Sequence, residues 1–255
     1  MKDLKILFSP SEDKNFIYKG SSNPKFGFLD SLLFGEDLRT NRMRILESYL
    51  EVLRKSPSSE VARIFGAKKL VGKIGIDTLN ACSNLDSANT IESIFLYSGV
   101  AFKALDVASL DTTSVEFLRK NVVIFSNLFG AILGGDKIPY YKLKQGEKFA
   151  NIDIVAIYKD FKTHLDSLLK SSEVLDLRAE FYTKAYKLTF PHTKIEFFKN
   201  GKENGKENSR KSTHFSKHYR GLTLRHIAQN RAFEVPFKLI DTKQSGFARI
   251  LQYEV

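Results

Sequence analysis

The chain has 255 residues and a net charge of +11, and 42% of its residues are hydrophobic, enough for a sizeable core in one large domain or two small ones. No apolar run approaches the roughly 20 residues that cross a bilayer, which excludes a transmembrane helix. The single cysteine, Cys82, excludes an internal disulfide, fits a reducing cytoplasm and is expected to be a buried structural thiol rather than a redox group.

The first predicted element is a buried strand at residues 4–8. Charged residues lie on both sides of this short apolar run, which argues against a signal peptide. Ligands of α/β folds bind at the carboxyl ends of strands, so we expect a functional site where this strand ends. An ordinary turn is the alternative. The polar residues at this end are Ser9, Ser11, Glu12 and Lys14.

Helices are predicted to follow a loop at residues 18–35, the clearest of them at residues 38–56. Further on, Gly72 and Gly75 flank two residues, loosely like the glycine turn of a helix-hairpin-helix, which offers backbone N–H groups to a DNA phosphate. A plain turn between helices is the simpler interpretation, with the second helix starting at Asp77. Residues 90–105 are expected to begin as a helix and to break at Ser98-Gly99.

Two further buried strands are predicted at residues 122–125 and 174–177, and each also ends in polar side chains. If these strands lie beside the first strand and run in the same direction, their polar ends converge on one edge of a sheet. Arg220 could then complete a pocket. The polar residues that follow the two strands are Ser126, Asn127, Arg178, Glu180 and Lys184.

A basic helix is predicted at residues 214–231, after an exposed loop at residues 200–211. Helical geometry brings Lys217, Arg220 and Arg231 within about 60° of one another, so this face indicates the wall of a cleft. Gly221 in mid-helix costs roughly 1 kcal/mol, a cost that close approach by a ligand or another element explains. A surface helix with scattered charges is the alternative.

The positive charge is concentrated, because residues 184–231 hold twelve Lys and Arg against three Glu, a net charge of +9. Such a segment attracts polyanions and predicts salt-dependent binding. The candidates for nucleic-acid or anion binding are Lys14, Arg178, Lys184, Lys217, Arg220, Arg225 and Arg231. The candidates for a supporting pocket are Ser9, Ser11, Glu12, Ser126, Asn127, Glu180 and Gly221.

These elements predict a mixed α/β fold, with a central mixed β-sheet flanked by helices and a basic cleft. A closing hairpin is expected from strands at residues 237–240 and 247–253. We expect one domain over residues 1–255, with a possible helical hairpin subregion at residues 38–120.

Short motifs in a fixed order resemble those of the bacterial YaaA family, also called peroxide stress resistance proteins or the DUF328 group. They are Ser9-Pro10-Ser11-Glu12-x-Lys14, Tyr97-Ser98-Gly99-Val100, Ala104-Leu105-Asp106, Phe125-Ser126-Asn127-Leu128-Phe129-Gly130, Ile138-Pro139-Tyr140-Tyr141, Leu175-Asp176-Leu177-Arg178 with Tyr182, and Lys217-x-x-Arg220-Gly221. Asp13 departs from a common Gly, and residues 131–137 lack an Arg often found there. The resemblance implies a cytosolic protein that limits oxidative damage, and at least one relative looks like a DNA-binding protein with a basic cleft.

Three functions fit these observations, of which we predict the first and keep the second as the alternative. The first is a stress protein that binds DNA without a cofactor or a metal. The second is an enzyme for a nucleotide or other phosphate-bearing substrate, with Glu as base and the cations as phosphate stabilisers, although no Walker loop, dinucleotide fingerprint or nucleophile elbow is present. The third is a metal site at His214 and His218, four residues apart, for which a solvent-facing pair is the simpler interpretation.

Overall fold

The computed structural model describes residues 3–16, 26–203, 206–211 and 215–255, and these form a mixed α/β fold. The strands are β1 (Leu4–Phe8), β2 (Thr90–Glu92), β3 (Val122–Ser126), β4 (Gly130–Leu133), β5 (Lys137–Pro139), β6 (Glu173–Asp176), β7 (His192–Glu203), β8 (Lys206–Lys211), β9 (Lys238–Ser245) and β10 (Ala248–Glu254). The central sheet has the order β4-β3-β1-β6-β7-β10-β9, and β8 pairs with β7. Strands β2 and β5 pair separately.

The middle of the central sheet consists of three parallel strands. Ile6 of β1 lies opposite Val122 of β3 on one side and opposite Leu175 of β6 on the other, and both pairings are parallel. The apolar runs of these strands are buried, as expected for a parallel sheet covered on both faces. The prediction that the three strands are neighbours with one direction is therefore confirmed, and their carboxyl ends meet at one edge.

Helices surround this sheet, and the structure gives their bounds. They are α1 (Gly35–Lys55), α2 (Ser58–Ile64), α3 (Gly72–Ser83), α4 (Ser93–Leu96), α5 (Val100–Leu105), α6 (Thr112–Asn121), α7 (Ile154–Lys170), α8 (Glu180–Ala185) and α9 (Ser216–Asn230). Aspartates cap two of them, since Asp111 accepts a hydrogen bond from the Ser114 N–H and Asp153 from the Ala156 N–H. In the part of the chain that is described, no helix has the length and apolar character needed to cross a membrane.

Two local predictions need correction. In the segment at residues 200–211, predicted to be a loop, the described residues belong instead to the antiparallel pair of β7 and β8. Residues 90–92, predicted to be helical, form β2, although the break expected at Ser98-Gly99 does separate α4 from α5.

Candidate functional site

A cavity of about 300 Å³ lies at the edge where β1 and β6 end. Its walls come from the segment after β1, the segment after β6, the start of α5 and the first turns of α9. Five of the predicted site residues line it, so residues far apart in the sequence do converge on one hollow. These five residues are Ser9, Ser11, Glu12, Lys217 and Arg220.

The two serines hold the cavity wall together. The Ser9 hydroxyl accepts a hydrogen bond from the Ala179 N–H at 2.8 Å, and the Ser11 hydroxyl accepts one from the Gly99 N–H at 3.0 Å. These bonds tie the end of β1 to the segments that lead into α8 and α5. Glu12 Oε1 accepts a hydrogen bond from the Gln145 N–H at 3.2 Å, which fixes its carboxylate at the same wall.

Two cations of α9 face this cavity, Lys217 from an exposed position and Arg220 from a half-buried one. Within the described residues, the Arg220 guanidinium has no hydrogen-bond or ion-pair partner. Burial lowers the pKa of Arg220 below its usual value, and the charge of Asp176 opposes this effect. Because an arginine stays protonated at neutral pH, the unpaired charge favours an anion in the cavity.

Gly221 brings two helices together beside the cavity. A Cβ atom at this position would lie 2.0 Å from the carbonyl oxygen of Ala101 in α5, far inside van der Waals contact. The close approach predicted for Gly221 is therefore made by another element. Since Val100 and Ala101 also line the cavity, this packing sets the distance between its two helical walls.

Arg178 was predicted to bind an anion, but the structure places it inside the protein with its own partner. Its side chain is 0% exposed, and Nε and Nη2 each donate to the Asp176 carboxylate at 2.8 Å. Nη1 donates to the Tyr186 carbonyl at 3.0 Å, and the guanidinium lies 4.3 Å from the centre of the Phe125 ring. Arg178 therefore holds β6 and α8 together beneath the cavity.

Ser126 and Asn127 are buried below the cavity rather than in its wall. The Ser126 hydroxyl lies 2.9 Å from the Tyr141 hydroxyl. Asn127 Oδ1 accepts a hydrogen bond from the Tyr182 hydroxyl at 3.0 Å, and Tyr182 lines the cavity. Asn127 thus acts on the cavity only by positioning Tyr182.

Lys14 is half-buried behind the loop that forms the cavity wall. Its Nζ donates to the carbonyls of Ser11 at 3.0 Å and Glu12 at 3.4 Å, and it lies 4.0 Å from the centre of the Tyr141 ring. Burial, helped by the charge of Lys142, lowers the pKa of Lys14 to about 7. The amine is therefore only partly charged at neutral pH, which suits a fixed cation poorly.

The remaining predicted cations do not line the cavity. Lys184 is exposed and pairs with Glu180 at 2.8 Å. Arg225 Nη1 donates to the Leu105 carbonyl at 2.9 Å, and Arg231 Nη1 donates to the Thr113 hydroxyl at 3.0 Å, so both fasten α9 to neighbouring helices.

The sequence predicts a structural thiol at Cys82 and, as an alternative function, a metal site at His214 and His218. Cys82 is buried as expected, and burial raises the pKa of its thiol to about 12, which keeps it unreactive. For the metal alternative, His218 is exposed and His214 lies outside the described residues. Among the residues that are described, no group of three His, Cys, Asp or Glu side chains is placed to hold a metal ion.

The connection from α2 to α3 carries three exposed lysines that are not among the candidates predicted from the sequence. Lys68, Lys69 and Lys73 are exposed there, and α3 begins at Gly72, five residues before the predicted start. Val71 and Ile76 are 68% and 58% exposed, an unusual setting for aliphatic side chains. The glycine turn in the sequence was the signal that pointed to this surface, which we call the α2–α3 turn (residues 65–76).

Comparison with known proteins shows a family match over nearly the whole chain. Residues 4–249 match the family described as peroxide stress protein YaaA. The chain is 38% identical to the protein Cj0984 of Campylobacter jejuni, over 89% of this chain and 86% of that protein. It is 24% identical to a UPF0246 protein of Francisella philomiragia, over 89% of this chain and 87% of that protein.

Proposed function

This chain belongs to the peroxide stress protein YaaA family, which supports a role in the oxidative stress response, and we propose that it performs this role by binding DNA. The net charge of +11 favours a polyanionic partner. Binding through backbone phosphates needs cations and free N–H groups but no base-reading motif, and none is found in the sequence.

The α2–α3 turn is the observation that carries this proposal. The first N–H groups of a helix have no partner within the helix and, together with its dipole, favour a phosphate at the N-terminus. Lys68, Lys69 and Lys73 surround the start of α3 and are all exposed. The exposed Val71 and Ile76 add apolar area that can contact the sugars.

The cavity supplies further cations for the same partner. Lys217 and Arg220 face solvent and cavity with no acidic partner among the described residues, so their charges are free to neutralise phosphates. With the three lysines of the α2–α3 turn, they make five candidate phosphate contacts. Lys14 and Arg178, which the sequence placed in this set, are held by other groups in the structure.

Five phosphate contacts predict a steep dependence on salt. Each contact releases counterions, so the logarithm of the binding constant should fall with the logarithm of salt concentration with a slope of about −4 to −5. Affinity for duplex DNA should therefore drop by about 10²–10³ between 50 and 200 mM salt. Fluorescence anisotropy with a duplex and a four-way junction measures this slope, and a flat response or an absence of binding at 50 mM rejects the proposal.

A phosphate-bearing small molecule in the cavity is the second candidate. The unpaired, half-buried Arg220 favours it, and a volume of about 300 Å³ lies at the lower end of the range for ligand pockets. Glu12 lines the same cavity, and its carboxylate is the group to which this alternative assigns the role of base. A nucleotide that raises the melting temperature of the native protein but not of Arg220→Ala supports this alternative, and equal shifts in both exclude it.

A further inference from the structure

The amine of Lys14 is surrounded by groups that accept hydrogen bonds without carrying charge. Its two acceptors are the backbone carbonyls of Ser11 and Glu12, and the Tyr141 ring lies on another side. Within the described residues, no carboxylate approaches it to ion-pair distance. A neutral amine has two N–H donors and one lone pair, so two carbonyl acceptors satisfy its donors and leave the lone pair available.

The charged and titratable groups around this amine keep it close to neutrality. Burial and the charge of Lys142 lower the pKa of Lys14 to about 7, against smaller opposing effects of Cys82, Glu12 and Asp13. Roughly half of the amine is therefore unprotonated at pH 7, in contrast to an exposed lysine with a pKa of about 10.4. A lysine in this state is a nucleophile.

A chain of hydroxyl groups begins at Tyr141, whose ring the amine contacts. The Tyr141 hydroxyl is 3.0 Å from the Tyr97 hydroxyl and 2.9 Å from the Ser126 hydroxyl. Burial raises the pKa of Tyr141, so its O–H bond stays intact at neutral pH. The carbonyls that hold Lys14 belong to Ser11 and Glu12, which line the cavity, so the amine lies directly behind the wall that also meets Arg220.

We propose that Lys14 forms a Schiff base with a phosphate-bearing sugar aldehyde, and that the source of this aldehyde is the ring-opened deoxyribose of an abasic site in DNA. The choice of DNA as the source rests on the function proposed above. Oxidants that damage bases leave such sugars behind, each flanked by phosphates that Arg220 and Lys217 can bind. A free sugar phosphate carries the same two chemical groups and is the other source.

The chemistry is balanced without an oxidant or a reductant. The lone pair of the neutral amine attacks the aldehyde carbon, a C–N bond forms, and the carbonyl oxygen takes up a proton. The nitrogen then loses a proton. The hydroxyl group takes up a second proton and leaves as water while the nitrogen lone pair forms the C=N bond, and the nitrogen of this iminium releases its remaining proton to give the imine. These protons are exchanged with solvent. Hydrolysis by the reverse path regenerates the amine.

Reductive trapping tests the inference. The full-length protein is incubated with a duplex that contains one abasic site, in the presence of cyanoborohydride, which reduces an imine to a stable amine. We expect a covalent complex on a denaturing gel, mapped to Lys14 by mass spectrometry. Lys14→Arg should lower its yield at least about tenfold, whereas Lys159→Arg, which changes an exposed lysine of α7, should leave it unchanged.

The pH profile of the native protein gives a test that needs no variant. Trapping at Lys14 should rise with pH and reach half of its maximum near pH 7, because the unprotonated amine reacts. Trapping at exposed lysines such as Lys159 should reach half of its maximum only at a pH near 10. Trapping spread evenly over the exposed lysines, with none at Lys14 between pH 6 and 9, overturns the inference.

Two further arms separate this inference from the proposed function. A duplex with a tetrahydrofuran site has no aldehyde and reports DNA binding alone. If that duplex binds and no Lys14 adduct forms with abasic DNA or with 2-deoxyribose 5-phosphate, the Schiff-base inference fails and DNA binding stands. If the sugar phosphate is trapped at Lys14 and the tetrahydrofuran duplex does not bind, the reactive amine stands and DNA is rejected as its source.

Discussion

Replacing Arg178 with alanine should lower the free energy of unfolding by about 3–5 kcal/mol, the range found when one partner of a buried ion pair is removed. The Asp176 carboxylate would lose the guanidinium that meets both of its oxygens, and it would remain buried. The Tyr186 carbonyl would lose its donor as well. Urea unfolding followed by circular dichroism measures this loss.

The matched control for this variant is Lys184→Ala. Lys184 forms an ion pair with Glu180 that is exposed on both sides, and such pairs contribute about 0–1 kcal/mol. Arg178 and Lys184 were both predicted to bind an anion, so the comparison also tests that interpretation. If Arg178→Ala leaves stability within 0.5 kcal/mol of the native protein and weakens DNA binding instead, Arg178 is a binding residue and its structural role is wrong.

The same ion pair makes stability depend on pH. Burial by itself would raise the pKa of Asp176, but the charge and hydrogen bonds of Arg178 outweigh it, so the pKa lies below its usual value of 3.8. A carboxyl group with a lowered pKa stabilises the fold fully above pH 3.8 and loses this contribution as pH falls through its folded value. Native protein should therefore lose stability below about pH 4 more steeply than the Arg178→Ala variant.

Reversing the charge of the α2–α3 turn should weaken DNA binding by about two to three orders of magnitude at 100 mM salt. The triple variant Lys68→Glu, Lys69→Glu and Lys73→Glu removes three of the five candidate contacts and places repulsive charges at the start of α3. The salt slope should fall by roughly 2.7, at about 0.9 per contact. Anisotropy titrations at several salt concentrations measure both quantities.

A second triple variant controls for net charge. Lys238→Glu, Lys243→Glu and Arg249→Glu make the same change of six charges at exposed positions of β9 and β10. These positions lie on neighbouring strands at the far edge of the sheet. We expect this variant to lose less than about fivefold in affinity for DNA, because it changes only the long-range electrostatic field of the protein. Equal losses in the two variants contradict a specific role for the α2–α3 turn.

Part of the site could be predicted from the sequence, because a short apolar run followed by polar residues marks the place where a buried strand ends. Short apolar runs identified β1, β3 and β6, and the rule for carboxyl ends predicted the place in the fold where Ser9, Ser11 and Glu12 line one hollow. The burial of Arg178 was not apparent, because a pocket arginine and a buried arginine look alike in sequence. Asp176, two residues earlier, was the available signal, since alternate residues of a strand share a face.

Other features depend on tertiary packing and had no local signal. Arg42 occupies a polar position in the pattern of α1, yet it is buried and donates to the carbonyls of Phe129 and Ala131. The lowered pKa of Lys14 likewise arises from burial by segments far away in the chain, which no pattern around residue 14 reveals. The sequence pattern places the start of this helix at Asp77, whereas α3 starts at Gly72, so the pattern does not reveal that Lys73 lies in the first turn of a helix.

Lysine acetylation in the presence and absence of duplex DNA tests the central claim most directly, because mass spectrometry reports each lysine of the unaltered protein. A bound duplex should protect Lys68, Lys69, Lys73 and Lys217, whereas Lys238 and Lys243 of β9 should react equally in both samples. Protection of the first group by more than about threefold at low salt, lost at high salt, is the predicted result. Equal reactivity of all six lysines with saturating DNA, or protection confined to β9, would contradict the account.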